Sequence, residues 1–198
     1  MSINILDHDY IINETKRLNL SMKDLKEIPD GVFELVNLTY LDLDYNELTE
    51  IPVEINKLVN LEMLHMNNNK LKEIPDMSSL VKLKLFNVRC NKLTDIPLNV
   101  NKLVNLKYLY LDHNELTTIP YISDLMNLKT LRLDHNELTS ISCELYEMKK
   151  LRHVNLSNNY IVDEDSVKIF ETLKVQYKYM NDQKQLPLKI LVLPMVII

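Results

Sequence analysis

The chain has 198 residues, of which 46% are hydrophobic and 26% are charged, a balance typical of one globular domain with a hydrophobic core. It contains one glycine, Gly31, where average usage gives about 14 in a chain of this length, which excludes the glycine-rich loops that bind nucleotide phosphates. Its 23 basic and 28 acidic residues give a net charge of −5, and because no basic stripe is present, we expect no nucleic-acid partner.

Residues 1–14 form the first predicted unit, an N-terminal cap. Apolar residues are spread through this polar stretch at Ile3, Ile5, Tyr10, Ile11 and Ile12. They are predicted to cover the first coil of the repeat array that follows, because a solenoid exposes its core at both ends. The segment has no basic start and no long apolar run, so we expect no signal peptide.

Residues 15–160 repeat with a period of 22 or 23 residues. Each repeat ends on an asparagine in the phrase LxxLxLxxNxL, and the six asparagines are Asn46, Asn69, Asn91, Asn114, Asn136 and Asn159. A weaker seventh copy, TKRLNLSMKDL, precedes them, with Lys23 at the asparagine position. A period in this range is the signature of a repeat architecture.

The phrase resembles the leucine-rich-repeat family, and the resemblance covers about three quarters of the chain. It implies an α/β solenoid of about seven repeats, with a curved parallel sheet on the concave side and short helical or 3₁₀ segments on the convex side. Repeats of this length resemble those of the intracellular class, such as phosphatase regulatory subunits and Ras-pathway scaffolds, and those of bacterial effector proteins.

Each residue type in the repeat phrase has its own physical explanation. Leu41 and Leu43 alternate with Asp42, the period of a short strand with one buried face. Asn46 follows where the chain turns, and its amide can pair with backbone groups of its own coil and of the next. The six asparagines are therefore predicted to form an internal ladder.

The return half of most repeats contains an Ile-Pro pair. These pairs are Ile28-Pro29, Ile51-Pro52, Ile74-Pro75, Ile96-Pro97 and Ile119-Pro120. Proline holds the residue before it in an extended conformation, which marks the chain's departure from the asparagine turn. The apolar spacing after Pro52 and Pro97 predicts a short helix or 3₁₀ segment, and the 22-residue repeats shorten this part.

Residues 161–198 are predicted to form a C-terminal cap helix and an apolar tail. In the tail, 186–198, ten of thirteen residues are Leu, Ile, Val or Met, but the stretch is too short and too interrupted by proline to span a bilayer. The tail could cap the last coil, touch a membrane or pair with a second chain. We favour capping, so the expected states are a monomer or a tail-mediated dimer.

The outward positions of the predicted strands form the candidate partner-binding surface. It comprises Tyr40, Asp42, Tyr45, Met63, His65, Leu85, Asn87, Arg89, Tyr108, Tyr110, Asp112, Arg132 and His153. Tyr40, Met63, Leu85 and Tyr108 are consecutive members of one column and point away from the core. A contiguous apolar stripe with polar surroundings is typical of the centre of a protein interface.

Two repeats contain the same Asp-His pair, Asp112-His113 and Asp134-His135. Imidazole and carboxylate groups could form a zinc or hydrolase site. Duplication of the sequence DHNEL explains both pairs without any chemistry, so we predict no metal, no cofactor and no enzymatic activity.

The sequence therefore predicts a non-catalytic module that binds a protein partner on its concave face. A host-directed effector that uses the same surface is the alternative. Cys90 and Cys143 lie far apart and neither belongs to a CxxC motif, which favours a reducing compartment. We accordingly expect the cytoplasm, or the host cytoplasm for an effector.

Overall fold

The computed structural model describes residues 1–119, 121–141, 143–146 and 148–161. Of the predicted C-terminal segment only Ile161 is included, so the cap helix and the 186–198 tail lie outside the described residues. Among the helices that are described, none has the length and apolar character needed to cross a bilayer.

An antiparallel hairpin precedes the repeats, with β1 at Ser2–Ile5 and β2 at His8–Ile11. Ile5 belongs to the continuous hydrophobic core, and the hairpin packs so closely on the first convex segment that a Cβ on Gly31 would lie 3.1 Å from Ile3 Cδ1. Ile11 is 49% exposed and contributes little to the cover over the first coil, whereas Ile3, Tyr10 and Ile12 pack against the core.

Seven three-residue strands form one parallel sheet in chain order. They are β3 (Arg17–Asn19), β4 (Tyr40–Asp42), β5 (Met63–His65), β6 (Leu85–Asn87), β7 (Tyr108–Tyr110), β8 (Thr130–Arg132) and β9 (His153–Asn155). Equivalent residues pair directly, as in Leu41 with Leu64 and Leu64 with Phe86. The seven strands and their order confirm the predicted solenoid of about seven repeats.

The middle residue of each strand points into the core, and the two outer residues point away from it. Leu41, Leu64, Leu109 and Leu131 are fully buried at this middle position. One coil alone could not enclose such a side chain, so neighbouring coils bury one another's leucines in a single continuous core.

The convex side is formed by short 3₁₀ helices, and the described residues contain no α-helix. The 3₁₀ helices span Asp30–Glu34, Val53–Lys57, Leu98–Lys102 and Cys143–Tyr146. Pro29, Pro52 and Pro97 precede the first three, where a fixed φ and a missing N–H suit a helix start.

The two shorter repeats replace the 3₁₀ helix by a single turn. In these turns the Leu80 N–H donates to Met77 O, and the Leu125 N–H donates to Ile122 O. The predicted shortening of the 22-residue repeats therefore falls on the convex side.

The ladder asparagines connect adjacent coils through buried hydrogen bonds. Asn69 Nδ2 donates to Met66 O of its own coil at 3.2 Å and to Leu43 O of the preceding coil at 2.9 Å. Its Oδ1 accepts the N–H of Leu48, also in the preceding coil. The expectation that the amide would bond to the next coil is wrong in direction, because each turn offers its free backbone groups to the asparagine that follows.

This direction explains why the first repeat has Lys23 instead of asparagine. Asn46 Oδ1 accepts the N–H groups of Lys23 and Leu25, and Asn46 Nδ2 donates to Leu20 O. The first coil is thus completed by the asparagine of the second coil. Because the hairpin of β1 and β2 lies before the first coil, an amide at position 23 would have no equivalent partners there.

A second row of asparagines, outside the LxxLxLxxNxL phrase, links the coils just before the strands. Each donates to a backbone carbonyl about one repeat earlier in the chain: Asn37 to Asn13, Asn60 to Val36, Asn105 to Val81 and Asn127 to Val104. Lysines occupy the two remaining positions of this row, where Lys82 and Lys150 donate to the side-chain oxygens of Asn60 and Asn127. The fixed spacing of nine residues before each ladder position could have revealed this row.

Replacing Asn114 by leucine should lower the free energy of unfolding by about 1–3 kcal/mol, because buried backbone groups would lose their partners. Asn114 donates to Val88 O and Leu111 O and accepts the Leu93 N–H. Urea unfolding monitored by circular dichroism measures the change. Lys23→Leu is the control and should shift the midpoint far less; equal shifts would contradict a structural ladder.

Candidate functional site

The outward side chains of the sheet lie in rows across adjacent strands. Tyr40, Met63, Leu85 and Tyr108 are direct neighbours in the parallel register of β4, β5, β6 and β7. Met63 is the most exposed of the four, and the other three are half-buried. We call these four residues the apolar stripe.

Polar groups at the N-terminal end of the stripe hold Tyr40 in place. The guanidinium carbon of Arg17 lies 3.9 Å from the centre of the Tyr40 ring, and the Tyr40 hydroxyl donates to Asp42 at 3.0 Å. The His65 ring lies 5.4 Å from the same ring, in a tilted arrangement. Burial and the hydrogen bond to Asp42 raise the pKa of Tyr40.

Some residues of the predicted surface also stabilise the turn that ends each strand. Asp42 Oδ1 accepts the N–H of Asp44, and Asn87 Oδ1 accepts the N–H of Arg89. A short side chain that bonds to the backbone two residues later is a typical turn-forming device. The second-row positions of Asp42 and Asn87 therefore have a structural reason besides any contact with a partner.

A cluster of charges lies at the C-terminal half of the sheet, around Asp112. Arg89 Nε approaches Asp112 Oδ2 to 2.9 Å, and an Arg132 nitrogen lies 3.6 Å from the same oxygen. Among the described residues, neither Asp112 oxygen accepts a well-directed hydrogen bond. Arg132 also forms two hydrogen bonds of 3.3 Å with Asp134, so the two arginines are held together above two carboxylates.

Asp112 was predicted to contact a partner, and the structure corrects this expectation. The side chain is 0% exposed, because the flanking arginines cover it. Burial raises the pKa of Asp112, although Arg132 and Arg89 oppose this effect. Asp112 can therefore act on a partner only through the two arginines that it positions.

The remaining predicted residues are distributed along the sheet. His65, Tyr110 and Arg132 lie in the second outward row, next to the apolar stripe. His153 is exposed on β9, at the last described strand, and Tyr45 is exposed in the turn after β4. The structure thus places all thirteen predicted residues on one side of the sheet or on its turns. The residues around Tyr40 lie at its N-terminal half, and the charged residues around Asp112 lie at its C-terminal half.

The residue before each ladder position adopts a left-handed backbone conformation, a feature that the sequence did not reveal. The φ angles lie between 52° and 57° at Met22, Tyr45, Asn68, Cys90, His113, His135 and Asn158. Asparagine tolerates this conformation best after glycine, and aspartate and histidine are also enriched there. The sequence has asparagine or histidine at four of these seven positions, and this preference could have indicated the left-handed conformation.

Sequence comparison identifies matches to family models described as leucine-rich repeats, over residues 13–71, 105–125 and 126–168. No curated protein matches the chain significantly.

Solved structures of leucine-rich-repeat proteins are similar to this chain. One from Leptospira interrogans has 30% identity and a TM-score of 0.65, over 80% of this chain and 47% of that protein. An internalin from Listeria monocytogenes has 26% identity and a TM-score of 0.61, over 71% and 41%.

A third similar structure is the ectodomain of the Arabidopsis thaliana membrane receptor kinase GASSHO1/SCHENGEN3, in complex with CASPARIAN STRIP INTEGRITY FACTOR 2. It has 33% identity and a TM-score of 0.68, over 75% of this chain and 19% of that protein. The chain thus spans less than half the length of each of these three structures.

Met22→Asn should raise the free energy of unfolding by up to about 1 kcal/mol, because asparagine adopts a positive φ with less strain than methionine. Met22 has a φ of 56° and is 70% exposed, so little packing is lost. Urea unfolding measures the change. Met63→Asn, on a strand without positive φ, should give no gain, and a similar gain there would contradict the explanation.

Asp112→Asn should leave the free energy of unfolding at pH 7 unchanged or raise it, because the burial of the carboxylate outweighs its attraction to the two arginines. The raised pKa means that the folded state binds the proton more tightly than the unfolded chain does, so ionisation of Asp112 opposes folding. The variant's advantage should therefore shrink as pH falls through the raised folded pKa toward 3.8, the unfolded value. Urea titrations across this range test it, and a variant that loses stability at pH 7 would show that the arginine pairs dominate.

Proposed function

Because the chain belongs to the leucine-rich-repeat family, we propose that it is a non-catalytic interaction module that binds a protein partner on the concave face of its sheet. Leucine-rich-repeat proteins are generally scaffolds without enzymatic activity, and their repeat domains bind protein partners. The receptor ectodomain named above was solved in complex with CASPARIAN STRIP INTEGRITY FACTOR 2.

The observation that supports this proposal most directly is the apolar stripe. Its four side chains follow one another across four hydrogen-bonded strands, so they extend over about 14 Å at a strand spacing of about 4.8 Å. The core does not need them to be apolar, since the buried side chains come from the middle residue of each strand. A length of 14 Å suits an extended or helical segment of a partner, which would bury its apolar residues there.

Charged groups of opposite sign lie beside the two ends of the apolar stripe, so a partner with complementary charges would bind in one orientation. Asp42 and Asp44 lie near its N-terminal end, where burial and the neighbouring Asp42 raise the pKa of Asp44. A basic side chain of a partner would relieve this unfavourable charge. Arg89 and Arg132 lie toward the other end and are partly exposed, so an acidic group of the partner would fit there.

The cytoplasm remains our proposed location, on the strength of the two separated cysteines in the sequence. The same surface would serve a host-directed effector, and the origin of the captured partner distinguishes the two.

Tyr108→Ala should weaken partner binding by more than about 1 kcal/mol, because aromatic residues near the centre of an interface contribute most of the affinity. Tyr110→Ala, in the adjacent row, should have a similar effect. Proximity labelling with the intact chain identifies the partner, and titration of the purified partner then measures the dissociation constant. Unfolding curves for each variant separate lost binding from lost folding.

Two variants outside the concave face serve as controls. Tyr121→Ala removes an exposed tyrosine beyond β7, and Lys57→Ala removes a charge from the convex side, where Lys57 pairs with Glu34 at 3.5 Å. Both should leave the dissociation constant unchanged. If either control weakens binding more than Tyr108→Ala does, the partner binds to another face.

A further inference from the structure

Two imidazole rings stack on each other beside the concave face. His113 and His135 occupy the same left-handed position in successive coils, and their rings lie 4.1 Å apart at 10° from parallel. The proposed protein-binding surface does not include either ring. The equivalent positions of the coils on either side are Cys90 and Asn158.

Asp134 supplies a third group to this pair. Its side chain is almost fully buried, and its Oδ2 lies 3.3 Å from His135 Nδ1. One donor atom from each of His113, Asp134 and His135 lies within 4.8 Å of the other two. Imidazole nitrogen and carboxylate oxygen are both common zinc ligands.

From this arrangement we infer that His113, Asp134 and His135 form a binding site for a divalent transition-metal ion of the zinc class. Two ligands held at 2.0–2.2 Å from a tetrahedral ion are about 3.4 Å apart. The separation of His135 Nδ1 and Asp134 Oδ2 already matches this value. The ring of His113 is nearly parallel to that of His135, so it must turn about its χ1 and χ2 torsions to direct a nitrogen lone pair at the same ion.

Asn158 completes the support for His135. Asn158 Nδ2 lies 3.0 Å from His135 Nε2, the nitrogen that faces away from Asp134. When Nδ1 binds a metal, Nε2 carries the hydrogen, and rotation of the amide would present Oδ1 to accept it. A ligating histidine commonly donates its second N–H in this way, which fixes the ring orientation.

The nearby arginines do not prevent a cation from binding. Arg89 and Arg132 carry two positive charges, and Asp112 and Asp134 carry two negative charges, so the four groups balance before a metal enters. Arg132 Nε donates to Asp134 Oδ1 and Arg132 Nη2 donates to Asp134 Oδ2, so the guanidinium orients the carboxylate and Oδ2 would serve both the arginine and the ion. With three protein ligands, the fourth position of a tetrahedral ion would be open to water or to a group from another molecule.

Duplication of the Asp-His pair accounts for the repeated sequence and for the placement of the two histidines on adjacent coils, but the two aspartates differ in their contacts. Asp112 lies under two arginines, whereas Asp134 contacts a histidine, so the two identical pairs have different surroundings. The two histidines come together because the repeat places them on adjacent coils.

Titration of the intact, metal-free chain with zinc chloride tests the site, with isothermal calorimetry to measure stoichiometry and affinity. The expected result is one equivalent of zinc, bound at least 10-fold more weakly by His113→Gln and by His135→Gln. Asp134→Asn should also weaken binding by about 10–100-fold. His65→Gln, which removes a concave histidine outside the cluster, is the matched control and should bind zinc like the parent.

Cobalt(II) provides a second readout, because its visible spectrum reports tetrahedral coordination. The parent and His65→Gln should show the tetrahedral bands, and the three cluster variants should lose them. Absence of stoichiometric zinc binding would overturn the site. So would equal binding by all variants, which would indicate an adventitious ion only. Neither measurement involves a protein partner, so failure here leaves the proposed interaction surface untouched.

Discussion

Buried asparagine amides hold successive coils of this chain together, and the positions of all other parts depend on them. Every turn after a strand leaves backbone N–H and C=O groups inside the protein, where an unpaired group costs about 1–3 kcal/mol. One asparagine per coil satisfies such groups in two coils at once, as Asn91 does for Val88, Met66 and Leu71. The amides thereby fix the spacing and register of the coils, and with them the rows of side chains on the sheet.

Much of the fold could be predicted from the sequence because the same pattern of apolar residues occurs in seven successive repeats. The strand positions, the buried leucines and the shortened convex turns all follow from the spacing of apolar residues around Asn46 and its equivalents. The direction of the ladder could not be predicted from the sequence. An asparagine amide can form the same hydrogen bonds with the coil before it or with the coil after it, and the order of residues does not distinguish the two. The left-handed residues were missed for another reason: Met22 and Cys90 are unusual choices for a positive φ.

The candidate site was predictable as a set of positions but not as a set of interactions. Side-chain period shows which residues point outward, so the row from Tyr40 to Tyr108 is found where expected. The burial of Asp112 depends on two arginines from the coils before and after it, and their reach cannot be derived from spacing. The stacking of the His113 and His135 rings could not be derived from residue spacing either.

The backward direction of the ladder bonds has a consequence during synthesis on the ribosome. The hydrogen bonds of a coil are complete only when the asparagine about one repeat later has emerged. The Leu48 N–H and the Leu43 carbonyl, for example, both pair with the side chain of Asn69. At about 5–20 residues per second, a 23-residue repeat is a delay of about one to five seconds. The nascent chain therefore always has one unfinished coil at its growing end, while the coils behind it are already closed and the hairpin covers the other end.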